Sequence, residues 1–214
     1  AHAELRSVAE VQVPERGMTV QVRQEGGQSV LLFVAPGIKR DDPDWYAGTI
    51  LNYILGGGGF SSRLMDEVRD RRGLTYGISS SLQAMDHTGI LMGQAATANA
   101  KAGEAWDATR EVWGGVARDG VTEAELASAK SYLIGVLPTG FTSTGAIAGV
   151  LAGMQEENLP PDYLDRRAGL LNAVTLDDVR RVAQRLLDPM RLTLVAVGKP
   201  EGIKADRIQD FVKE

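Results

Sequence analysis

Two kinds of hydrophobic periodicity follow one another along the chain. Alternation of apolar and polar residues predicts a strand, and apolar residues recurring three and four positions apart predict a helix. Strands are predicted over residues 19–23, 29–35, 76–83, 90–97 and 191–197. Helices are predicted over residues 42–55, 61–72, 101–118, 122–137, 143–157, 162–171, 175–187 and 204–213.

This order of elements predicts an α+β fold, because two strands, two helices and two strands are followed by a helical block and a final strand. We expect a mainly antiparallel mixed sheet packed against one layer of helices. Residues 1–18 are polar and carry Pro14 and Gly17, which predicts an N-terminal arm or linker. Residues 19–214 are predicted to form a single domain.

Short local signals predict the turns and the ends of helices. Gly26 and Gly27 lie between the first two predicted strands and predict a hairpin turn. Asp42 followed by proline predicts a helix start, and Gly56 predicts the end of that helix.

Capping signals predict three further helix starts. Thr122 with Glu125 has the spacing of a capping box, in which each residue bonds the backbone of the other. Thr175 and Asp178 have the same spacing, and Ser61 or Ser62 is the predicted cap of the helix that ends at Gly73.

Composition limits the classes of function. The chain has 214 residues, is 43% hydrophobic and 24% charged, and has a formal net charge of -5 with no basic block, so a nucleic-acid interface is not favoured. It has no cysteine, which excludes disulfides and thiol catalysis. No apolar run reaches the roughly 20 residues that a membrane-spanning helix needs.

The stretch LGGGGFSSRLMDEVRDRRGLTY carries the candidate chemistry. Four glycines, Gly56, Gly57, Gly58 and Gly59, precede Phe60 and separate two predicted helices. Arg69 lies near the end of the second helix, and Tyr76 follows seven residues later. A cation and a phenol beside a flexible loop suit the binding of peptide carbonyl groups, although Arg69 could instead cap its own helix and Tyr76 could be an ordinary strand aromatic.

The pattern of the glycine run is compatible with two roles and disfavours a third. It follows a helix rather than a strand and lacks the spacing of phosphate-binding loops, so nucleotide binding is disfavoured. It could simply let two helices turn, or it could line a substrate channel.

Neither histidine predicts a metal site or a catalytic triad. His2 and His87 have no histidine or cysteine partner at ligand spacing, so both are predicted to be solvated. The serines after the glycine run lack the pattern of a nucleophile elbow.

The stretch LNYILGGGGFSSRLMDEVRDRRGLTYGISSS resembles the insulinase (pitrilysin-like, inverzincin) family of zinc metallopeptidases, which includes the processing peptidases. The likeness continues through VTEAELASAK, LPPDYLDRRAGLLNAVTLDDVRRVA and RLTLVAVG, and so covers nearly the whole chain. It is specifically similar to the second, non-zinc-binding domain of the family's two-domain catalytic unit.

The resemblance implies a division of labour between two domains. The first domain carries H-x-x-E-H, which binds zinc and supplies the general base, and the second contributes an Arg and a Tyr that match Arg69 and Tyr76. These residues bind substrate carbonyls and stabilise the oxyanion in family members. The residues 56–60, by similarity to a glycine-rich substrate loop, are weaker substrate-binding candidates.

The chain departs from the family because it has no H-x-x-E-H. It is therefore not expected to be an enzyme on its own or to hold a metal, and zinc is expected in an H-x-x-E-H domain or partner subunit. Peptide is the expected substrate, and a homodimer stays open. The alternative is a structural module of the same fold without a peptidase role. The compartment also stays open between a periplasmic and a cytoplasmic parent.

Overall fold

A computed structural model of the chain describes residues 8–11, 13–14 and 16–211. Its strands form one six-stranded mixed sheet in the order β3-β4-β2-β5-β1-β6. The strands are β1 (Thr19–Arg23), β2 (Gln28–Pro36), β3 (Gly77–Met85), β4 (Thr88–Ala98), β5 (Thr193–Gly198) and β6 (Arg207–Asp210). β2 pairs antiparallel with β4 and β5, and β3 pairs antiparallel with β4, whereas β1 is parallel to both of its neighbours.

Helices pack against one face of this sheet, which confirms the predicted α+β class. They are α1 (Trp45–Asn52), α2 (Ala102–Asp119), α3 (Glu123–Gly135), α4 (Thr144–Glu156), α5 (Tyr163–Ala173) and α6 (Leu176–Leu186). The core lies where alternate strand residues meet α2. Phe33 of β2 contacts Trp106 and Trp113, with ring centroids 6.1 and 6.0 Å apart.

The predicted hairpin at Gly26 and Gly27 is wrong, because β1 and β2 do not pair. β5 lies between them, and Val195 of β5 is in register with Val20 of β1 and with Leu32 of β2. The two glycines therefore belong to a connection that passes over the end of β5.

The predicted C-terminal helix over residues 204–213 is also wrong where the structure describes it. Residues 207–210 form β6, which extends the sheet beside β1. Thr19 N–H donates to the Asp206 carboxylate at 2.8 Å, and Phe211 N–H donates to the Arg23 carbonyl at 3.1 Å. These bonds fix both ends of the strand, so pairing with β1 outweighs a weak helical pattern. Residues 212–214 lie outside the described residues.

The helix starts near the glycine run differ from the predicted ones. The Asp42 carboxylate accepts the N–H of Asp44 at 2.9 Å before the helix, and α1 begins only at Trp45. Gly56 does not end this helical segment, because a π-helical turn continues it over Tyr53–Gly57.

Ser61 and Ser62 do not cap the second helix through their side chains. Their hydroxyls donate to the carbonyls of Gly58 and Gly59, at 3.2 and 2.7 Å. The helix begins after them and includes a π-helical segment over Met65–Arg71.

The capping boxes at α3 and α6 are confirmed. In the first, Glu125 accepts the Thr122 N–H at 2.7 Å, and Arg63 reaches the same carboxylate with two bonds of 2.6 and 2.7 Å. Burial raises the pKa of Glu125, but the bonds from Arg63 and Thr122 outweigh it and lower the pKa to about 2. The box therefore also joins α3 to the helix that follows the glycine run.

Glu125→Gln is expected to lower the free energy of unfolding by about 1 kcal/mol at pH 7, the usual size of a capping contribution. The folded-state pKa of Glu125 is depressed, so its stabilisation is present above the unfolded pKa of 4.5 and is lost as the pH falls towards about 2. Urea unfolding of wild type and variant should therefore converge over this window. Glu123→Gln in the same first turn is the control. A difference that persists undiminished below the folded-state pKa of about 2 would contradict the assignment.

Candidate functional site

The glycine run packs closely against its surroundings. A Cβ on Gly56 would lie 2.5 Å from Ser80 Oγ and 2.7 Å from Ser80 N on β3. A Cβ on Gly57 would lie 2.7 Å from the Asn52 side chain, and one on Gly58 would lie 2.8 Å from the Tyr53 carbonyl oxygen. These glycines let the chain fold back over the end of α1 and approach the edge strand.

The fourth glycine differs from the other three. Gly59 has φ +57° and an open surrounding, so here glycine serves a left-handed turn rather than a tight contact. Phe60 follows with 73% of its surface exposed. Gly57 is also exposed but packs closely on Asn52, so Gly59 is the exposed glycine of the run whose surroundings are open.

Arg69 lies at the centre of the candidate site, in the π-helical segment that ends before Gly73. Its Nε donates to the Tyr76 carbonyl oxygen at 3.0 Å, and its Nη1 donates to the Asp70 carboxylate at 2.5 Å. Its guanidinium carbon lies 5.0 Å from the centroid of the Phe60 ring, a cation–π distance. The structure therefore brings Arg69, Phe60 and the backbone of Tyr76 together.

Tyr76 is held by its backbone while its ring stays free. Thr75 Oγ1 donates to the Ala96 carbonyl at 2.6 Å and accepts the Gly77 N–H at 3.1 Å, which fastens the residues before β3 to β4. The Tyr76 side chain has 87% of its surface exposed. A phenol in this position has its O–H available for a ligand.

The arrangement can bind carbonyl oxygens. Two of the Arg69 bonds are made within the chain, and the guanidinium keeps further N–H donors for a ligand. A cationic and a phenolic donor on neighbouring parts of the site suit an oxygen that carries partial or developing negative charge.

A lysine that the sequence did not single out lies at the same site. Lys101, at the start of α2, lines a groove of about 420 Å³ together with Arg69 and Tyr76. Its Nζ donates to the Gly73 carbonyl at 2.9 Å. No local spacing connects residue 101 with residue 69, because their proximity depends on the pairing of β3 with β4.

The described residues of this chain do not form a zinc site. Among the residues that the structure describes, no three His, Asp or Glu side chains cluster as metal ligands would. His87 is half-buried beside Glu10, with Nδ1 3.5 Å from its carboxylate, so it is less solvated than predicted. His2 lies outside the described residues.

The helices of the structure contain no candidate membrane span. Within residues 8–11, 13–14 and 16–211, none is both long enough and apolar enough to cross a bilayer.

Comparison with known proteins identifies relatives over most of the chain. Residues 2–133 match the family described as the peptidase M16 inactive domain. An uncharacterized zinc protease from Streptomyces coelicolor is 32% identical over 189 residues, which cover 86% of this chain and 40% of that protein. An uncharacterized zinc protease from Mycobacterium tuberculosis is 33% identical over 174 residues, which cover 80% of this chain and 39% of that protein.

A solved structure agrees with these sequence matches. The peptidase M16 inactive domain from Pseudomonas fluorescens superposes with a TM-score of 0.78 at 31% identity, covering 93% of this chain and 48% of that one. The chain thus spans about 40% of the length of the curated relatives it matches. The match to the family covers more than half of the sequence, and the chain belongs to the peptidase M16 inactive-domain family.

Proposed function

We propose that this chain is the substrate-binding half of a zinc metalloendopeptidase, whose active site it completes with Arg69 and Tyr76. The observation that carries the proposal is the convergence of three groups. The Arg69 guanidinium lies against Phe60 and is bonded to the backbone of Tyr76, whose phenol faces solvent.

Each of the two residues has a separate chemical role. Arg69 donates to a substrate backbone carbonyl, since its position is fixed by the bonds to Tyr76 and Asp70 before any peptide arrives. Tyr76 donates a hydrogen bond from its phenolic O–H to the oxyanion that forms when water attacks the scissile carbonyl. Donors fixed in advance stabilise developing charge without reorganisation at the moment of reaction.

The glycine run supports the site in two ways. Gly56, Gly57 and Gly58 hold the turn against β3 and α1, so the turn has a defined position. Gly59 and Phe60 form its exposed end, where Phe60 both covers the Arg69 guanidinium and offers an apolar surface to a substrate side chain.

Zinc chemistry belongs to a partner domain in this proposal. The relatives are named zinc proteases and are more than twice as long as the matched region. A domain with H-x-x-E-H, on the same chain or on another subunit, would supply the metal and the general base. This chain binds and orients the peptide and is inactive alone.

In the enzyme formed with an H-x-x-E-H domain, Tyr76→Phe is expected to lower kcat/KM. The decrease should correspond to a loss of about 1–2 kcal/mol of transition-state stabilisation. The loss should fall mainly on kcat, because the phenolic proton acts on the oxyanion and not on the bound substrate. The measurement is the steady-state cleavage of a quenched-fluorescent peptide.

Tyr132→Phe is the matched control for this variant. Tyr132 is 52% exposed on α3 and stacks on Tyr53, with ring centroids 4.8 Å apart. Its variant should retain wild-type kinetics. If Tyr76→Phe also retains them, Tyr76 has no catalytic role, and the structural-module alternative gains support.

A further inference from the structure

We propose that Lys101 forms a subsite for a carboxylate of the substrate peptide, in the groove beside Arg69 and Tyr76. The inference rests on the proposed function, because it concerns the peptide that the same site binds. It adds a preference for acidic peptides, which nothing in the carbonyl-binding role of Arg69 requires.

The groove is a built feature with fixed walls. It lies between the end of the helix that carries Arg69, the start of β3 and the junction of β4 with α2. Thr97 Oγ1 donates to the Leu74 carbonyl at 2.5 Å, and Thr75 Oγ1 donates to the Ala96 carbonyl at 2.6 Å. These bonds tie the segment before β3 to β4, so the groove of about 420 Å³ is held open by the backbone.

The charges in the groove are unequally compensated. Arg69 is paired with Asp70, which also lines the groove. Lys101 has no carboxylate within 4.0 Å among the described residues, and its Nζ is bonded to the neutral Gly73 carbonyl. The groove therefore has an uncompensated positive charge at Lys101.

The position of Lys101 is linked to that of Arg69. Lys101 Nζ donates to the Gly73 carbonyl, and the N–H of the same glycine donates to the Arg69 carbonyl at 2.9 Å. Arg69 and Lys101 both line the groove, so a peptide that lies in it and is bound by Arg69 also passes the ammonium group. Lys101 has three N–H donors, so it can keep the bond to Gly73 and still bind a ligand.

A carboxylate is the peptide group that fits this position. It accepts charge-assisted hydrogen bonds from an ammonium, and these are stronger than bonds between neutral groups. The carboxylate has two sources in a peptide, an acidic side chain or the C-terminus. Both present the same chemistry to Lys101.

The test uses matched peptides with the enzyme formed from this chain and an H-x-x-E-H domain. One arm compares peptides with Glu and with Gln at each position in turn, and the other compares a free C-terminus with its amide. We expect one arm to show a carboxylate preference in kcat/KM of about tenfold, the scale of one hydrogen bond to a charged group. The arm that shows it identifies the source.

The variants assign the preference to Lys101. Lys101→Ala should abolish the preference, so that the Glu and Gln peptides, or the acid and the amide, are cleaved with equal kcat/KM, and Lys101→Arg should restore most of it. Lys204→Ala removes an exposed lysine outside the groove and should preserve the preference. Fluorescence anisotropy of labelled peptides bound to this chain should give the same order of affinities.

Two results would overturn the inference, and both differ from failure of the proposed function. The subsite does not exist if the wild-type enzyme has no carboxylate preference, or if the preference survives Lys101→Ala. This conclusion holds even when Arg69→Ala impairs the cleavage of all peptides equally. If Arg69→Ala and Tyr76→Phe leave every peptide unaffected, the proposed function itself is wrong.

Discussion

Arg69→Ala should lower kcat/KM of the enzyme formed with an H-x-x-E-H domain roughly 30- to 150-fold, which corresponds to a loss of about 2–3 kcal/mol of transition-state stabilisation. The substitution removes the donors proposed to bind the substrate carbonyl and also the group that links Phe60 to the Tyr76 backbone. Because the proposed contact of Arg69 with the substrate exists before and during the reaction, we expect KM to rise as well as kcat to fall. The measurement is cleavage of quenched-fluorescent peptides under steady-state conditions.

Arg71→Ala is the matched control for this prediction. Arg71 is on the same helical segment but 67% exposed, and it pairs with Asp66 at 2.9 Å, away from Phe60 and Tyr76. Its variant should retain wild-type kcat/KM. Arg69→Lys should recover only part of the loss, because an ammonium cannot donate to Tyr76 and to a ligand in the planar geometry of a guanidinium. Wild-type kinetics in Arg69→Ala would remove Arg69 from the site.

Gly56→Ala should destabilise the fold by about 2–4 kcal/mol, since overpacking against backbone atoms forces the chain to shift. The new Cβ would meet Ser80 Oγ at 2.5 Å, Ser80 N at 2.7 Å and Leu64 Cδ1 at 2.9 Å. The backbone nitrogen of β3 cannot rotate away as a side chain would. Urea unfolding followed by circular dichroism measures the change.

The same substitution at Gly149 is expected to have the opposite effect on the free energy of unfolding. Gly149 lies inside α4, and a Cβ there meets nothing within 4 Å. Alanine should therefore stabilise the chain by about 0.5–1 kcal/mol through its higher helix propensity. If the two variants unfold alike, the close packing of Gly56 on β3 is not what the fold requires.

The elements that the sequence predicted best are those specified by neighbouring residues. Two helix starts are specified by residues three positions apart, Thr122 with Glu125 and Thr175 with Asp178. Both capping boxes formed as predicted. Gly73, with φ +61°, ends the helix of Arg69 for a similarly local reason. The spacing of Arg69 and Tyr76 across this turn was therefore readable before the fold was known.

The predictions that failed depended on contacts between distant parts of the chain. Gly26 and Gly27 look like a hairpin turn, but β5, more than 160 residues later, inserts between the strands they join. The residues of β6 have a weak helical pattern, and only the free edge of β1 makes them a strand. Lys101 was missed for the same reason, since β4 carries it to the groove.

The glycine run shows how one pattern can have two physical causes. The sequence left open whether these residues form a turn or line a substrate channel. Close contacts with Ser80, Asn52 and Tyr53 account for the first three glycines without any ligand. Gly57 is exposed but packs on Asn52, whereas Gly59 is exposed in open surroundings and is followed by the largely exposed Phe60. Mutagenesis of substrate binding should therefore address Gly59 and Phe60 first.

The most direct test of the central claim is cleavage of a quenched-fluorescent peptide library by this chain alone and with an H-x-x-E-H domain, with and without a zinc chelator. We expect no cleavage by either component alone and chelator-sensitive cleavage by the mixture. If an H-x-x-E-H domain docks onto the chain but cleaves peptides equally well without it, the chain adds nothing to the active site and the proposed function is wrong.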